Sequence, residues 1–200
     1  MVIGITGGVG SGKSTALELI KDSKDACILR TDDIASELMD TVLLERLSAA
    51  FGRELRGSDG RLDKKLYSEL IYSDPANTAL SDRIVHPAVW ERVRKLIREA
   101  EDKDLPVFVE TALPGPEFKE ICDYVMAFIT PDKLREERLS ESRGYTREHF
   151  DAIKRRQLDH KGYEAYADIV INNNGSKEDL KRRVLDEIDD IYKSCKREQR

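Results

Sequence analysis

The chain has 200 residues, 40% of them hydrophobic and 36% charged, enough for one sizeable core and better suited to one domain with insertions than to two independent domains. Its formal charge of -5 argues against a basic surface that tracks nucleic-acid backbones, so no nucleic-acid partner is expected, and a phosphate-bearing ligand must be held by a local positive site. Cys27, Cys122 and Cys195 are scattered, odd in number and form no C-x-x-C pair, a pattern that suggests neither a disulfide framework nor a zinc site.

The start, M-V-I-G-I-T, is apolar but has no basic flank and runs into glycines at Gly7 and Gly8. It is expected to be neither a signal peptide nor a membrane span, and the protein is expected to be cytoplasmic, without a membrane partner. Residues 2–6 instead suit a strand buried on both faces of a parallel sheet. Residues 14–20 turn helical, and the run at 26–29 predicts a second strand that stops at Arg30, with Asp32 and Asp33 just past its end. Ligands of open α/β sheets sit at such ends.

From residue 41 to 104 the period becomes helical. Val42, Leu43, Leu47 and Phe51 suggest one helix, residues 62–71 another, and 52–60 the loop between them. Pro87 is expected to open a long helix with Val89, Trp90, Val93, Leu96, Ile97 and Ala100 on its apolar face. Strands return at 107–109 and 125–129, alternating with helices as a parallel sheet requires. A highly charged double helix broken at Gly144 fills 131–159, a last strand is expected at 167–171, and S-K-E-D at 176–179 reads as the cap of a C-terminal helix.

Residues 7–15 read G-G-V-G-S-G-K-S-T between the first strand and the first helix. This is the phosphate-loop pattern, in which glycines let backbone N–H groups of Gly8, Val9, Gly10, Ser11, Gly12 and Thr15 curl around phosphate oxygens. Lys13 would reach the β and γ phosphates of ATP, and the Ser14 hydroxyl would coordinate Mg2+. Of Asp32 and Asp33, one can cap the following helix while the other accepts a proton from an alcohol substrate. Glu110 ends the third strand, where P-loop enzymes place an acid that holds the magnesium shell through water; an ordinary strand-end acid is the alternative.

Arg135, Arg138, Arg143, Arg147, Arg155 and Arg156 lie among many acids and read first as a solvated, salt-bridged face. Arg143 fits that least, because its helical neighbours Leu139, Ser140, Thr146 and Arg147 include no carboxylate. A mobile arginine closing over phosphates is the alternative there. His86 beside Pro87 reads as a cap or packing residue, and Trp90 as core.

Taken in order, T-G-G-V-G-S-G-K-S-T at 6–15, T-D-D-I-A at 31–35, D-G-R-L at 59–62, H-P at 86–87, R-L-S-E-S-R-G-Y-T at 138–146 and A-D-I-V-I-N-N-N-G at 167–175 resemble the dephospho-coenzyme A kinase family over almost the whole chain. The resemblance implies transfer of a phosphoryl group from Mg-ATP to the ribose 3′-hydroxyl of dephospho-CoA. It makes Asp32 the general base, with Asp33 beside it where that family often has an apolar residue. It puts His86 in the acceptor pocket, Arg138 and Arg143 among lid arginines that close on ATP, and Asn174 in the segment bordering the adenine. One stretch departs: the family reads something like P-L-L-F-E after the third strand, whereas residues 111–117 read T-A-L-P-G-P-E and are about one residue shorter. That leaves open the alignment of Glu110 and Glu117 and the shape of the pocket near them.

The expected architecture is a three-layer α/β/α P-loop fold with a mostly parallel sheet of about five strands. Residues 1–40, 105–130 and 160–200 would form the nucleotide-binding core, 41–104 a helical acceptor domain and 131–159 a lid. Two other readings compete: a P-loop kinase for another nucleotide or small alcohol, and a nucleotide-dependent switch. The switch lacks its guanine signature, since residues 172–175 read N-N-N-G rather than N-K-x-D.

Overall fold

A computed structural model describes residues 1–198. Five apolar runs form β1 (Val2–Gly7), β2 (Cys27–Arg30), β3 (Val107–Glu110), β4 (Tyr124–Ile129) and β5 (Ile169–Asn172). They join in one sheet in the order β2-β3-β1-β4-β5, and β1 pairs in parallel with both β3 and β4, as β4 does with β5. Every β1 residue is buried, which is why that strand reads as an unbroken apolar run rather than an alternating one.

Helices cover both faces of the sheet. On one, Ile3, Ile5, Met126, Phe128 and Ile171 pack with residues of α1 (Lys13–Ser23) and α10 (Lys177–Glu198), including Leu17, Ile20, Val184 and Ile188. On the other, Ala127 and Ile129 meet Tyr163 of α9 (His160–Tyr166). Gly4 makes room there for α6 (Pro116–Ile121), for a Cβ on it would lie 2.6 Å from the Phe118 ring. Each fully buried side chain of this size contributes about 1.5–3 kcal/mol. The charged segment folds as α7 (Asp132–Arg143), closed by Gly144 at φ 64°, and α8 (Arg147–Lys154), capped by the Thr146 hydroxyl.

The chain divides into two compact units, one holding Met1–Ile28 and everything from Ala100 onward, the other Leu29–Glu99. The second contains α2 (Thr31–Asp40), α3 (Leu44–Ala50), α4 (Lys64–Ser73) and most of α5 (Pro75–Glu101). Asp63 caps α4 by accepting from the Lys65 and Leu66 amides at 3.1 and 3.0 Å. Leu44, Leu47, Leu55 and Val93 are wholly buried, and Trp90 is core at 8% exposure.

Three expectations need correction. Pro87 does not open a helix but lies inside α5, which runs on from Pro75. It is exposed, so the carbonyl of Arg83 that loses its N–H partner can bond water, and the helix tolerates the ring on that side. Neither Asp32 nor Asp33 caps α2: the helix begins one residue earlier, at Thr31, with Arg30 as an N-cap that makes no side-chain bond. Both aspartates sit in the first turn, where the helix dipole favours them without a specific bond. Val42 is 71% exposed and precedes α3 rather than packing with it.

Candidate active site

β1 ends in the phosphate loop, and α1 begins at Lys13 as the loop closes. The chain turns sharply because Gly7, Gly10 and Gly12 take φ of 140°, 76° and 99°, values that a side chain would strain. The Ser11 N–H bonds the Gly8 carbonyl at 3.1 Å within the turn. Two neighbours leave no space for a Cβ: at Gly8 it would lie 2.0 Å from Arg135 Nη1, and at Gly12 2.1 Å from Asn173 Nδ2.

Lys13 is buried, its ammonium donating to the carbonyls of Gly7 at 2.9 Å and Gly8 at 3.3 Å. Glu110, at the end of β3, approaches it to 3.5 Å, with both side chains nearly excluded from water. In a pair buried this far each charge offsets part of the desolvation cost of the other. Past the end of β5, Asn173 donates to the Ser11 carbonyl at 2.8 Å, and Thr130 bridges Ser11 and Asn173 with 3.2 and 3.1 Å contacts. The loop is therefore held from β4 and β5 as well as by its own turn.

Two further side chains reach the loop tip. Arg135 of α7 donates to the Val9 carbonyl at 3.3 Å, and Gln157 accepts from the Val9 N–H at 2.9 Å. Arg135 is the residue that sequence reasoning assigned to a solvated face; it is 4% exposed. The signal available was Leu139 one turn on, which is buried with it as an i, i+4 pair in an otherwise polar helix. Asn173 was passed over for Asn174, although burial alternates through Ile171, Asn172 and Asn173 in strand phase. Asn174 is exposed and, with Asn172, Asp179, Leu180 and Arg183, lines a cleft of about 410 Å³ where β5 gives way to α10.

Arg138 is half-buried and donates to the Asn173 carbonyl at 3.3 Å. Arg143 is exposed at the end of α7 and Ser14 exposed in the first turn of α1. The structure thus gathers residues 7–15, Glu110, Arg135, Arg138, Gln157 and Asn173 within one unit. Asp32, Asp33 and His86 belong to the other. There the aspartates are exposed in the first turn of α2, and His86, on α5, faces Asp82 at 3.6 Å. The divergent loop after β3 is shaped by two phenols of α9: Tyr163 donates to the Ala112 carbonyl at 2.8 Å and Tyr166 to that of Gly115 at 2.5 Å. Burial pushes the Tyr163 hydroxyl up to about 12, so it stays a donor.

For a divalent cation, the described residues offer no cluster of three or more His, Cys, Asp or Glu side chains. They offer the Ser14 hydroxyl and the Glu110 carboxylate, both hard oxygen donors. Mg2+ keeps most of its waters and takes only one or two protein oxygens beside phosphates, so this sparse oxygen set fits it and no soft metal.

A glycine turn closed by a buried lysine at the head of a helix, on a parallel α/β sheet, is the construction of a P-loop nucleotide-binding protein. The comparisons narrow the class. The dephospho-CoA kinase family model matches residues 1–179. A dephospho-CoA kinase of Thermobifida fusca is 31% identical over 186 residues, covering 92% of each chain. A solved structure from Thermus thermophilus is 30% identical and superposes with a TM-score of 0.75 over 95% of this chain and 97% of its own. The dephospho-CoA kinase from Campylobacter jejuni, 20% identical, shares the fold with a TM-score of 0.73 over 96% and 98% of the two chains. The chain belongs to the dephospho-CoA kinase family. Among the described residues no helix is long and apolar enough to cross a membrane.

Proposed function

We propose that this chain transfers the γ-phosphoryl group of Mg-ATP to the ribose 3′-hydroxyl of dephospho-CoA, working in the cytoplasm. The observation that carries the reading is the buried Lys13–Glu110 pair at 3.5 Å beneath a phosphate loop of left-handed glycines, in a chain of that family.

The roles follow from the chemistry of each group. The loop amides bind the phosphates, except that of Val9, which is expected among them but already donates to Gln157, and Lys13 exchanges the Gly7 and Gly8 carbonyls for β and γ oxygens. The adenine enters the cleft lined by Asn174 and Arg183. Ser14, directly, and Glu110, through water, would hold Mg2+, which supplies positive charge beside the transferring phosphoryl group. Segment 131–159 acts as the lid, with Arg138 and Arg143 closing on ATP. Segment 41–104 takes the acceptor, and His86 lines its pocket with Asp33 near by. Asp32 orients the hydroxyl and accepts its proton as the new O–P bond forms and the bond to ADP breaks; positioning and electrostatics supply most of the rate.

The test is a coupled assay of ADP release with dephospho-CoA beside AMP, shikimate and gluconate as acceptors, with and without EDTA. Release that requires dephospho-CoA and stops on chelation is the expected result. Release with another acceptor alone, or undiminished by EDTA, overturns the assignment.

A further inference from the structure

Arg135 has no task in the reaction as described, yet it is one of the buried charges among the described residues. Its guanidinium lies over the Phe150 ring at 5.2 Å and donates to Asp132 at 2.5 Å and to the Val9 carbonyl at 3.3 Å. Asp132 is itself held by Lys154, and His160 faces it at 3.4 Å. From beyond the end of α8, Gln157 accepts the Val9 N–H at 2.9 Å. Both polar backbone groups of one residue at the loop tip are therefore tied to side chains more than 100 residues away, one from each end of segment 131–159.

Gly8 records the same contact from the other side. Its φ is not left-handed, so backbone freedom does not explain a glycine there; the guanidinium does, since a Cβ would lie 2.0 Å from Nη1.

We propose that Arg135 and Gln157 are positioning residues that clamp the Val9 peptide and hold the phosphate loop in its triphosphate-binding shape before ATP arrives. This rests on the kinase reading above. A loop ordered in advance loses less conformational freedom on binding, and freeing a residue or two of backbone is enough to weaken binding about tenfold. The effect belongs to ligands with β and γ phosphates, because the clamp acts on the loop and not on the base cleft.

The experiment compares ATP and adenosine binding by calorimetry, with steady-state kinetics and melting temperature. The first variant is Gln157→Met, which keeps the shape and removes the acceptor. It should raise the Kd and KM for ATP about tenfold, leave the Kd for adenosine and the KM for dephospho-CoA within about twofold, and leave kcat at saturating ATP within about threefold. The second pair tests Arg135 through Gly8: Gly8→Ala should weaken ATP binding in the native background and add less than about twofold in an Arg135→Met background, where the crowding is gone. Unchanged ATP affinity in Gln157→Met, equal weakening of ATP and adenosine, or a Gly8→Ala effect undiminished in the Arg135→Met background overturns the clamp. Native protein that binds adenosine but not ATP overturns the kinase reading itself, and that outcome is read before any variant.

Discussion

Asp32 and Asp33 are adjacent carboxylates in one exposed turn, so their environments differ little and only their direction separates them. Successive helical residues point about 100° apart, and one carboxylate can face an acceptor hydroxyl while its neighbour faces water. The proposed mechanism gives the chemistry to Asp32. Asp32→Asn keeps size and hydrogen bonding but cannot take a proton, so kcat should fall by about 10² or more with ATP affinity and melting temperature retained. Asp33→Asn should keep kcat and cost only about 0.3–1 kcal/mol, the worth of a first-turn acid on the helix dipole, because the structure gives it no capping bond. Measuring kcat, ATP affinity and melting temperature for both variants decides the matter; an active Asp32→Asn enzyme beside a dead Asp33→Asn enzyme reverses the roles.

At the level of elements, α7 carries two kinds of arginine. Arg135 is locked inward, whereas Arg138 is half-buried on a strand-end carbonyl and Arg143 is exposed at the helix end. The latter two are the ones proposed to close on the transferring phosphoryl group, and on that proposal replacing either with Ala should lower kcat by roughly 10³, as for arginines that stabilise phosphoryl transition states. Native rates in both variants would return them to a solvated face. The start of α7 also sets a pH dependence. Burial alone would raise the Asp132 carboxyl, but hydrogen bonds from Lys154 and Arg135 outweigh it and hold it at about 2. A depressed carboxylate contributes stability above the ordinary carboxylate range and loses it as pH falls through the folded value. Asp132→Asn should therefore melt below the native protein at pH 7, the gap closing as pH drops from about 4 towards 2; a gap independent of pH would show that the charge does not matter.

The same elements show what could be read in advance. The strands, the phosphate loop and the break at Gly144 were legible, because apolar runs, glycine patterns and left-handed caps are local. S-K-E-D at 176–179 was legible for the same reason, and the Asp179 N–H bonds the Ser176 hydroxyl at 3.1 Å. Pro87 misled because its tolerance inside α5 depends on which side of the helix meets water, a property of the packed unit. Arg135 and Gln157 were invisible as loop contacts because their partner is Val9, and long-range pairing of a side chain with a backbone group leaves no spacing rule in the sequence.

For the whole molecule, ligand binding is itself a source of stability, since whatever binds the folded chain alone shifts unfolding by mass action. At ATP concentrations near 100 times its Kd the gain is about 2.7 kcal/mol, which in a chain of this length raises the melting temperature by roughly 5–10 °C. In the proposed mechanism the phosphate part of that gain concentrates on Lys13, whose ammonium is already buried under the loop beside Glu110. Lys13→Ala removes the charge, leaves Glu110 without this cation, and should lower the melting temperature of the free protein. The informative quantity is the shift on adding ligand. With ATP it should shrink to less than half the native value, whereas with adenosine, whose proposed place is the cleft lined by Asn174 and Arg183, it should persist. Thermal shift measured for both proteins with both ligands gives four numbers. Equal ATP shifts in the native and Lys13→Ala proteins would remove Lys13 from the phosphate site, and loss of the adenosine shift as well would mean that the substitution had collapsed the nucleotide unit instead of one contact within it.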